Sequence, residues 1–300
     1  MATEQRPNIT DTADLEIRQC FDGTNGRHVK WYHFTADDEA YRGVSYDDER
    51  DITLDEYAAS LKRMSDDAIF PKVPTDAQVT IAPKNLNGSA VYIKRSGLRR
   101  YHGVEEEDKC QTKDQLLAEV LVMEKISKTP HPYVVRYHGC TVHRGRITAI
   151  AMERLGLTLN HYAYCHGECP ADITGHRTMF EQIDKQAFLA GVESAVRFLH
   201  SLGLAHNDIN PYNIMVREAS EGDGDGACTP VLIDFDSCAP FGIAALSFGT
   251  VGFMDMEDEN ISTSQKRHDD FALKRLAEWW DEDHDPEKNP AHWKNFPGAE

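Results

Sequence analysis

The clearest apolar period in the chain runs from Ile183 to Ser201, where Phe188, Val192, Ala195 and Leu199 recur at i, i+4, i+7 and i+11. That spacing predicts a long helix with one buried face. The stretch "KDQLLAEVLVMEKISK" (113–128) repeats the pattern through Leu116, Val120 and Met123, with Glu119 beside the stripe. A third helix is predicted in "HDDFALKRLAEWW" (268–280), with Leu273, Leu276, Ala277 and Trp280 turned inward. From about Val73 the period shortens: "AQVTIAP" and "SAVYIKR" read as strands joined by a hairpin turn at "KNLNG". "RITAIAME" and the aliphatic run Val231-Leu232-Ile233 are further strands. Residues 1–70 are acidic and weakly periodic, and "DDEAYRGVSYDDERD" is a solvated segment by composition. Only "TLDEYAASLKRM" carries a helix signal there: a capping box of Thr53 and Glu56 opens a helix from Leu54 to Met64.

Composition narrows the classes of function. The 300 residues are 40% hydrophobic, enough for a substantial core, and carry 32 Lys and Arg against 50 Asp and Glu, a net charge of −18. Such a chain repels phosphate backbones and anionic lipid, so neither nucleic acid nor membrane is expected as a partner. No run reaches transmembrane length, and "MATEQRPNITDTADLEIR" lacks the apolar core of a signal peptide. Seven scattered cysteines then read as reduced thiols, and the expected location is cytoplasmic or nuclear. Cys165 and Cys169 are spaced C-x₃-C but lack a second ligand pair, so they read as ordinary helix and loop residues. Asp223 and Asp225 open like a calcium loop without its remaining ligands, and the polar stretch around them reads as a hairpin insert.

The chemistry concentrates between His200 and Asp236. In "HSLGLAHNDINPYNIMV", Asp208 and Asn213 stand five residues apart between an apolar helix and an apolar strand, and Asp234 follows Val231-Leu232-Ile233. These groups suit phosphoryl transfer: one carboxylate to orient or deprotonate a hydroxyl, an amide and a carboxylate to hold Mg²⁺ against ATP phosphates.

"HNDINPYN" resembles the catalytic loop of the protein-kinase superfamily, and "IDFD" its Asp-Phe-Gly segment with Asp236 in place of glycine. The resemblance spans about residues 70–280. It implies an α+β, two-lobed protein-kinase-like fold: an N-terminal extension (1–70), a small, mainly β lobe (71–153) and a mainly α large lobe with an acidic tail (154–300). The large lobe is truncated after its αF-like helix. Asp208 then orients the acceptor hydroxyl, while Asn213 and Asp234 hold Mg²⁺ or Mn²⁺; Asp236, which the family pattern does not supply, adds a carboxylate two residues from Asp234 that either joins the metal ligands or caps the following turn. Lys94 resembles the strand lysine that steadies the ATP phosphates, and Glu119 its partner, with Glu124 as a rival. Met152, Glu153 and Leu155 correspond to the hinge that meets adenine, Thr250 to the threonine that contacts the catalytic aspartate, and Asp269 or its neighbour Asp270 to the aspartate that braces the catalytic loop.

The chain departs from the pattern in four places. Gly88 is the only glycine from Asp76 to Lys94, so there is no G-x-G-x-x-G loop. Asn207 replaces the arginine before the catalytic aspartate, Asn210 the lysine two after it, and Asp236 the glycine. The implied function is ATP-dependent phosphorylation of a protein serine or threonine by a divergent kinase. Two alternatives stay open: a pseudokinase or scaffold, on the missing glycine loop, and a small-molecule phosphotransferase of aminoglycoside- or choline-kinase type, on "HND" with "IDFD".

Overall fold

The computed structural model describes residues 6–22, 26–98, 112–164, 179–218, 228–247 and 249–284. The cysteine pair at 165 and 169 and the Asp223–Asp225 insert lie outside them. Within the described residues the chain forms two compact units. One comprises Met1–Gln78, Arg95–Leu117 and Cys140–Ala149, the other Val79–Lys94, Ala118–Gly139 and Ile150–Glu300.

The first unit overturns the solvated reading of the N-terminal residues. Strands β1 (Glu16–Asp22), β2 (Gly26–Phe34), β3 (Ala40–Ser45) and β4 (Lys62–Arg63) pair in the order β1-β2-β3-β4, antiparallel throughout. The segment expected to be solvated supplies β3, in which Ala40 and Tyr41 are buried. Leu15, Val29, Trp31, Tyr41, Tyr57 and Leu61 form its core. A Cβ on Gly43 would run into the Trp31 indole, so only glycine leaves room for the ring there. The indole also donates to the Tyr57 carbonyl at 3.1 Å, satisfying the one polar group it buries.

Tyr57 sits on α1 (Leu54–Ser60), opened by the expected capping box: Thr53 Oγ1 accepts from the Glu56 amide, and the Glu56 carboxylate accepts from the Thr53 amide at 2.8 Å. The helix stops at Ser60, short of the expected Met64, because Lys62 and Arg63 pair with β3. Thr53→Ala should lower stability by about 1 kcal/mol. An unchanged denaturant midpoint would mean that Tyr57 alone holds the helix. A four-residue turn, α2 (Asp66–Ile69), follows.

The turn between β2 and β3 is fastened to distant parts of this unit. Asp38, buried and at φ 55, accepts from Arg95 Nε at 2.9 Å and Thr148 Oγ1 at 2.7 Å. Arg144 donates to the Asp37 and Asp38 carbonyls at 2.6 and 3.0 Å and to the Asp66 carboxylate at 2.6 Å.

Further along, β5 (Val91–Arg95), β6 (Tyr137–His143) and β7 (Arg146–Glu153) form a three-stranded sheet in the order β5-β7-β6. The strand expected at 77–83 does not form, and with it the hairpin is lost. In the second unit, Glu124 takes the Thr80 amide at 2.6 Å and its hydroxyl at 2.9 Å, which removes that amide from any ladder. The same backbone passes so close to Gly139 (φ +125) that a Cβ there would meet Ala82 N at 2.6 Å. Residues 83–90 run as successive turns, with Leu86 N bonded to Pro83 O and Ala90 N to Asn87 O.

The helices of the second unit keep to the apolar periods. Leu116, Val120 and Met123 are buried on α3 (Thr112–Ser127). After α4 (Leu159–Tyr164), helix α5 (Lys185–Ser201), capped by Asp184 on the Ala187 amide, buries Phe188, Val192, Ala195 and Leu199. It leads into β8 (Leu204–Ala205) and then a hairpin of β9 (Ile214–Arg217) and β10 (Thr229–Leu232). Strand β11 (Ala239–Pro240) returns to pair with β8. The last helix, α6 (Lys266–Trp280), is rotated from expectation: Asp269, Ala272, Leu276, Trp279 and Trp280 are buried, and Leu273 and Ala277 only half-buried. Among the described residues no helix is long and apolar enough to cross a membrane.

Candidate active site

Every residue singled out from the sequence for phosphoryl transfer lies in the second unit. Strand β5 carries Lys94 as its penultimate residue, and Lys94 Nζ lies 2.6 Å from Glu119 Oε1 on α3 and 2.6 Å from Asp234 Oδ1. Glu119 also accepts from the Phe235 amide at 3.3 Å. Burial disfavours the Lys94 charge, but Glu119 and Asp234 outweigh it and hold the ammonium above its ordinary value. Burial pushes the Glu119 carboxyl up despite Lys94. At Asp234 the balance reverses: burial raises the carboxyl, yet the Lys94 charge and hydrogen bond take it below the ordinary carboxylate value. The rival Glu124 is committed elsewhere, to Thr80 and to the Tyr137 hydroxyl at 2.8 Å.

Asp208 is held from two sides. Its Oδ1 accepts from Asn210 Nδ2 at 2.9 Å, the Thr250 amide at 2.8 Å and the Thr250 hydroxyl at 2.9 Å. Its Oδ2 accepts from Asn213 Nδ2 at 2.8 Å, and that amide also reaches the Asp208 carbonyl at 2.9 Å. The carboxylate is thereby fixed in rotation, with room on Oδ2 for one more donor. Asn213 spends its N–H groups on Asp208 and turns its carbonyl Oδ1 away. The Ile233 amide donates to the Asn213 carbonyl at 3.0 Å, which sets Asn213 beside the residue before Asp234.

Asp269, with no exposed surface, is the brace, and the exposed Asp270 is not. It accepts from the amides of His206 at 2.9 Å and Asn207 at 2.8 Å and pairs with His200 Nε2 at 2.8 Å. Asn207 (φ 62) and Asp234 (φ 61) are two of the four non-glycine residues at positive φ among those described. Both belong to this cluster, where strained backbone is held by its surroundings. Asp236 is not among the four, so the left-handed geometry falls on Asp234 and not on the position where kinases have glycine. Burial and the Asp234 charge push the Asp236 carboxyl above the ordinary range, and the Ser237 hydroxyl donates to it at 3.0 Å.

A cavity of about 380 Å³, lined by Lys94, Met152, Glu153, Leu155 and Asp234, opens beside the cluster. Val135, Met215 and Ile233 supply apolar walls. Sequence reading missed Met215, although Ile214 and Val216 are buried on one face of β9 and the alternation sends Met215 to the other. The Glu153 carboxylate is occupied by Arg217 at 2.9 Å and the Arg136 amide at 2.8 Å, and the Glu153 amide donates to the Arg136 carbonyl at 2.9 Å, so of its polar groups the main-chain carbonyl is the one these bonds leave. Among the described residues, no group of three or more His, Cys, Asp or Glu is arranged to hold a metal ion.

A model of the protein kinase domain matches residues 78–267. The chain is similar to serine/threonine-protein kinase SSK22 of Saccharomyces cerevisiae, 30% identical over 98 residues, 33% of this chain and 6% of that protein. It is similar also to serine/threonine-protein kinase Tao of Drosophila melanogaster, 28% identical over 134 residues, 45% of this chain and 11% of the relative. Against serine/threonine-protein kinase/endoribonuclease IRE1 of Hypocrea jecorina it is 31% identical over 124 residues, 40% of this chain and 9% of the relative. The chain therefore spans only a small part of the length of each of these proteins.

Proposed function

Since this chain belongs to the protein kinase family, we propose that it transfers the terminal phosphoryl group of ATP to a serine or threonine hydroxyl of a protein. The observation that carries this reading is the double constraint on Asp208. Thr250 and Asn210 fix one oxygen, and Asn213 fixes the other. A carboxylate so held can accept a hydroxyl proton or orient that hydroxyl.

The residues fit ATP and a divalent ion. The cavity lies in the size range of small-molecule sites and joins apolar walls to one ammonium at Lys94. Asn213 Oδ1, Asp234 and Asp236 offer oxygen ligands, too few for a protein-only cage but suited to Mg²⁺ or Mn²⁺ that shares phosphate oxygens. When bound, the ion would neutralise phosphate charge. Lys94, kept charged by Glu119 and Asp234, would steady the phosphates, and the main chain of Glu153 and Leu155 would face the adenine edge with Met152 behind it. With turns in place of a glycine-rich hairpin at 83–90, backbone amides cannot close over the phosphates as in other kinases, and ATP should be held weakly from that side.

Purified protein incubated with labelled ATP, Mg²⁺ or Mn²⁺ and a mixed protein acceptor tests the reading, with Asp208→Asn as control. Label on protein that disappears in the control supports it. ATP binding without turnover would favour the pseudokinase, and transfer only to an amino-sugar or amino-alcohol the small-molecule enzyme.

Asp236 makes a separate prediction. A carboxylate two residues from Asp234 strengthens a divalent site and repels ATP that arrives without metal. Asp236→Gly should weaken ATP binding at limiting Mg²⁺ by roughly tenfold and strengthen it in chelator. Calorimetric titrations across metal concentrations decide this: parallel curves for the two proteins would mean that the carboxylate serves only the Ser237 turn.

A further inference from the structure

Asn207 has more hydrogen bonds than a loop residue requires. Its Nδ2 group faces the Ala205 carbonyl at 3.1 Å, the Ser237 carbonyl at 2.9 Å and Ser264 Oγ at 3.0 Å. Ser264 has no exposed surface, and its hydroxyl proton goes on to the Ala239 carbonyl at 2.9 Å. Two uncharged side chains thus tie three separate stretches together: the loop before Asp208, residues 237–239 just after Asp236, and the approach to α6.

The middle and far end of the intervening chain are seated on the same residues. Gly242 N donates to Ser264 O and Ser264 N to Ile243 O, both at 2.8 Å, and Ala245 N to Ser262 O at 3.0 Å. At the far end, a Cβ on Gly249 would lie 2.8 Å from the Asn207 carbonyl, so glycine alone permits that approach. The next residue, Thr250, bonds Asp208. Asn207 therefore holds one end of the stretch by its amide and abuts the other end by its carbonyl.

We infer that Asn207 and Ser264 are positioning residues. They form a neutral latch that orders residues 237–247 and seats Gly249 and Thr250 against Asn207 and Asp208 without any added phosphate. No ion pair takes part in the Asn207–Ser264 contact. The kinetic part of this inference rests on the kinase reading, whereas the structural part does not.

Hydrogen exchange on phosphatase-treated, nucleotide-free protein tests the structural part. Residues 237–239, 242–245 and 262–264 should be protected. Asn207→Gly keeps the left-handed backbone favourable and removes only the amide, and Ser264→Ala removes only the hydroxyl. Each should raise exchange in all three stretches by tenfold or more and leave α5 unchanged. In the transfer assay, each should lower kcat with little change in KM for ATP, because neither residue lines the cavity. Protection in both variants equal to wild type would overturn the latch, and so would protection that phosphatase abolishes. Wild-type protein that shows the protection but transfers no phosphate would leave the latch standing and remove the kinase reading.

Discussion

Replacing Lys94 by Met should abolish the thermal stabilisation that ATP with Mg²⁺ confers, and should lower phosphoryl transfer by roughly 10²–10³. The methionine stem fills much the same space, but Glu119 and Asp234 lose the ammonium that lies 2.6 Å from each. Removing one partner from a buried ion pair costs about 3 kcal/mol, and that cost falls on Glu119, whose side chain is 4% exposed, far more than on Asp234 at 35%. The variant should therefore be less stable even without ATP.

That deficit should depend on pH. Asp234 in wild type titrates below its ordinary value, so its contribution is present above the usual carboxylate range and lost as pH falls through its folded value. Glu119, held high by burial, acts the other way: it disfavours the folded state as pH rises through the carboxylate range, and more so without Lys94. Both effects make the gap between variant and wild type narrow in acid and widen towards neutrality. Denaturant melts at several pH values read this directly. A gap that stays constant, or undiminished ATP stabilisation, would mean that Lys94 is not the phosphate lysine.

Asp208→Asn should reduce transfer by about 10²–10⁴ while leaving ATP binding nearly intact. One oxygen of the new amide can still accept from Thr250 and Asn210. Its NH₂ group then faces Asn213 Nδ2, where a donor meets a donor at the present 2.8 Å. Asn213 can relieve this only by turning its carbonyl inward, which withdraws Oδ1 from the metal side. The substitution thus removes the base and disturbs one metal ligand, so the apparent metal requirement should rise along with the loss of rate. Transfer at near wild-type rate would place the catalytic carboxylate elsewhere.

The residues of this site were legible because their chemistry is tied to short spacings. Asp208 and Asn213 lie on one loop, Asp234 follows an aliphatic strand, and Lys94 follows the apolar triplet Val91-Tyr92-Ile93 of another. Where the sequence offered two candidates, three-dimensional bonding separated them. Glu124 stood as the rival of the preferred Glu119 until Thr80 and Tyr137 proved to occupy it, and Asp270 as the alternative to Asp269 until the loop amides were seen to meet only one. The same buried aspartate explains the turned face of α6. Leu276 and Trp280 belong to both possible stripes, and the need to aim Asp269 at the amides of His206 and Asn207 selects Ala272 and Trp279 over Leu273 and Ala277.

The N-terminal sheet was not legible for a different reason. Its strands are flanked by acidic turns, and in β2 Trp31, which buries against Tyr57, and its equally buried neighbour Tyr32 stand between Lys30 and His33 without a clean alternation. The lost strand at 77–83 failed through a partner that no local pattern could announce, a glutamate 44 residues further on.

The fastening of Asp38 has a consequence for how the chain comes together during synthesis. Strands β1 to β3 pair with their neighbours in sequence, so their loops close at small entropic cost and early in translation. The Lys94–Asp234 bond spans 140 residues, and the Asp38–Thr148 bond spans 110. A nascent chain released before residue 148 can thus carry a formed N-terminal meander whose Asp38 carboxylate has Arg95 for a partner but lacks the Thr148 hydroxyl. Completion of β7 seals that joint, and the meander changes from an independent hairpin stack into a part of the first unit that cannot be peeled away without exposing a buried acid.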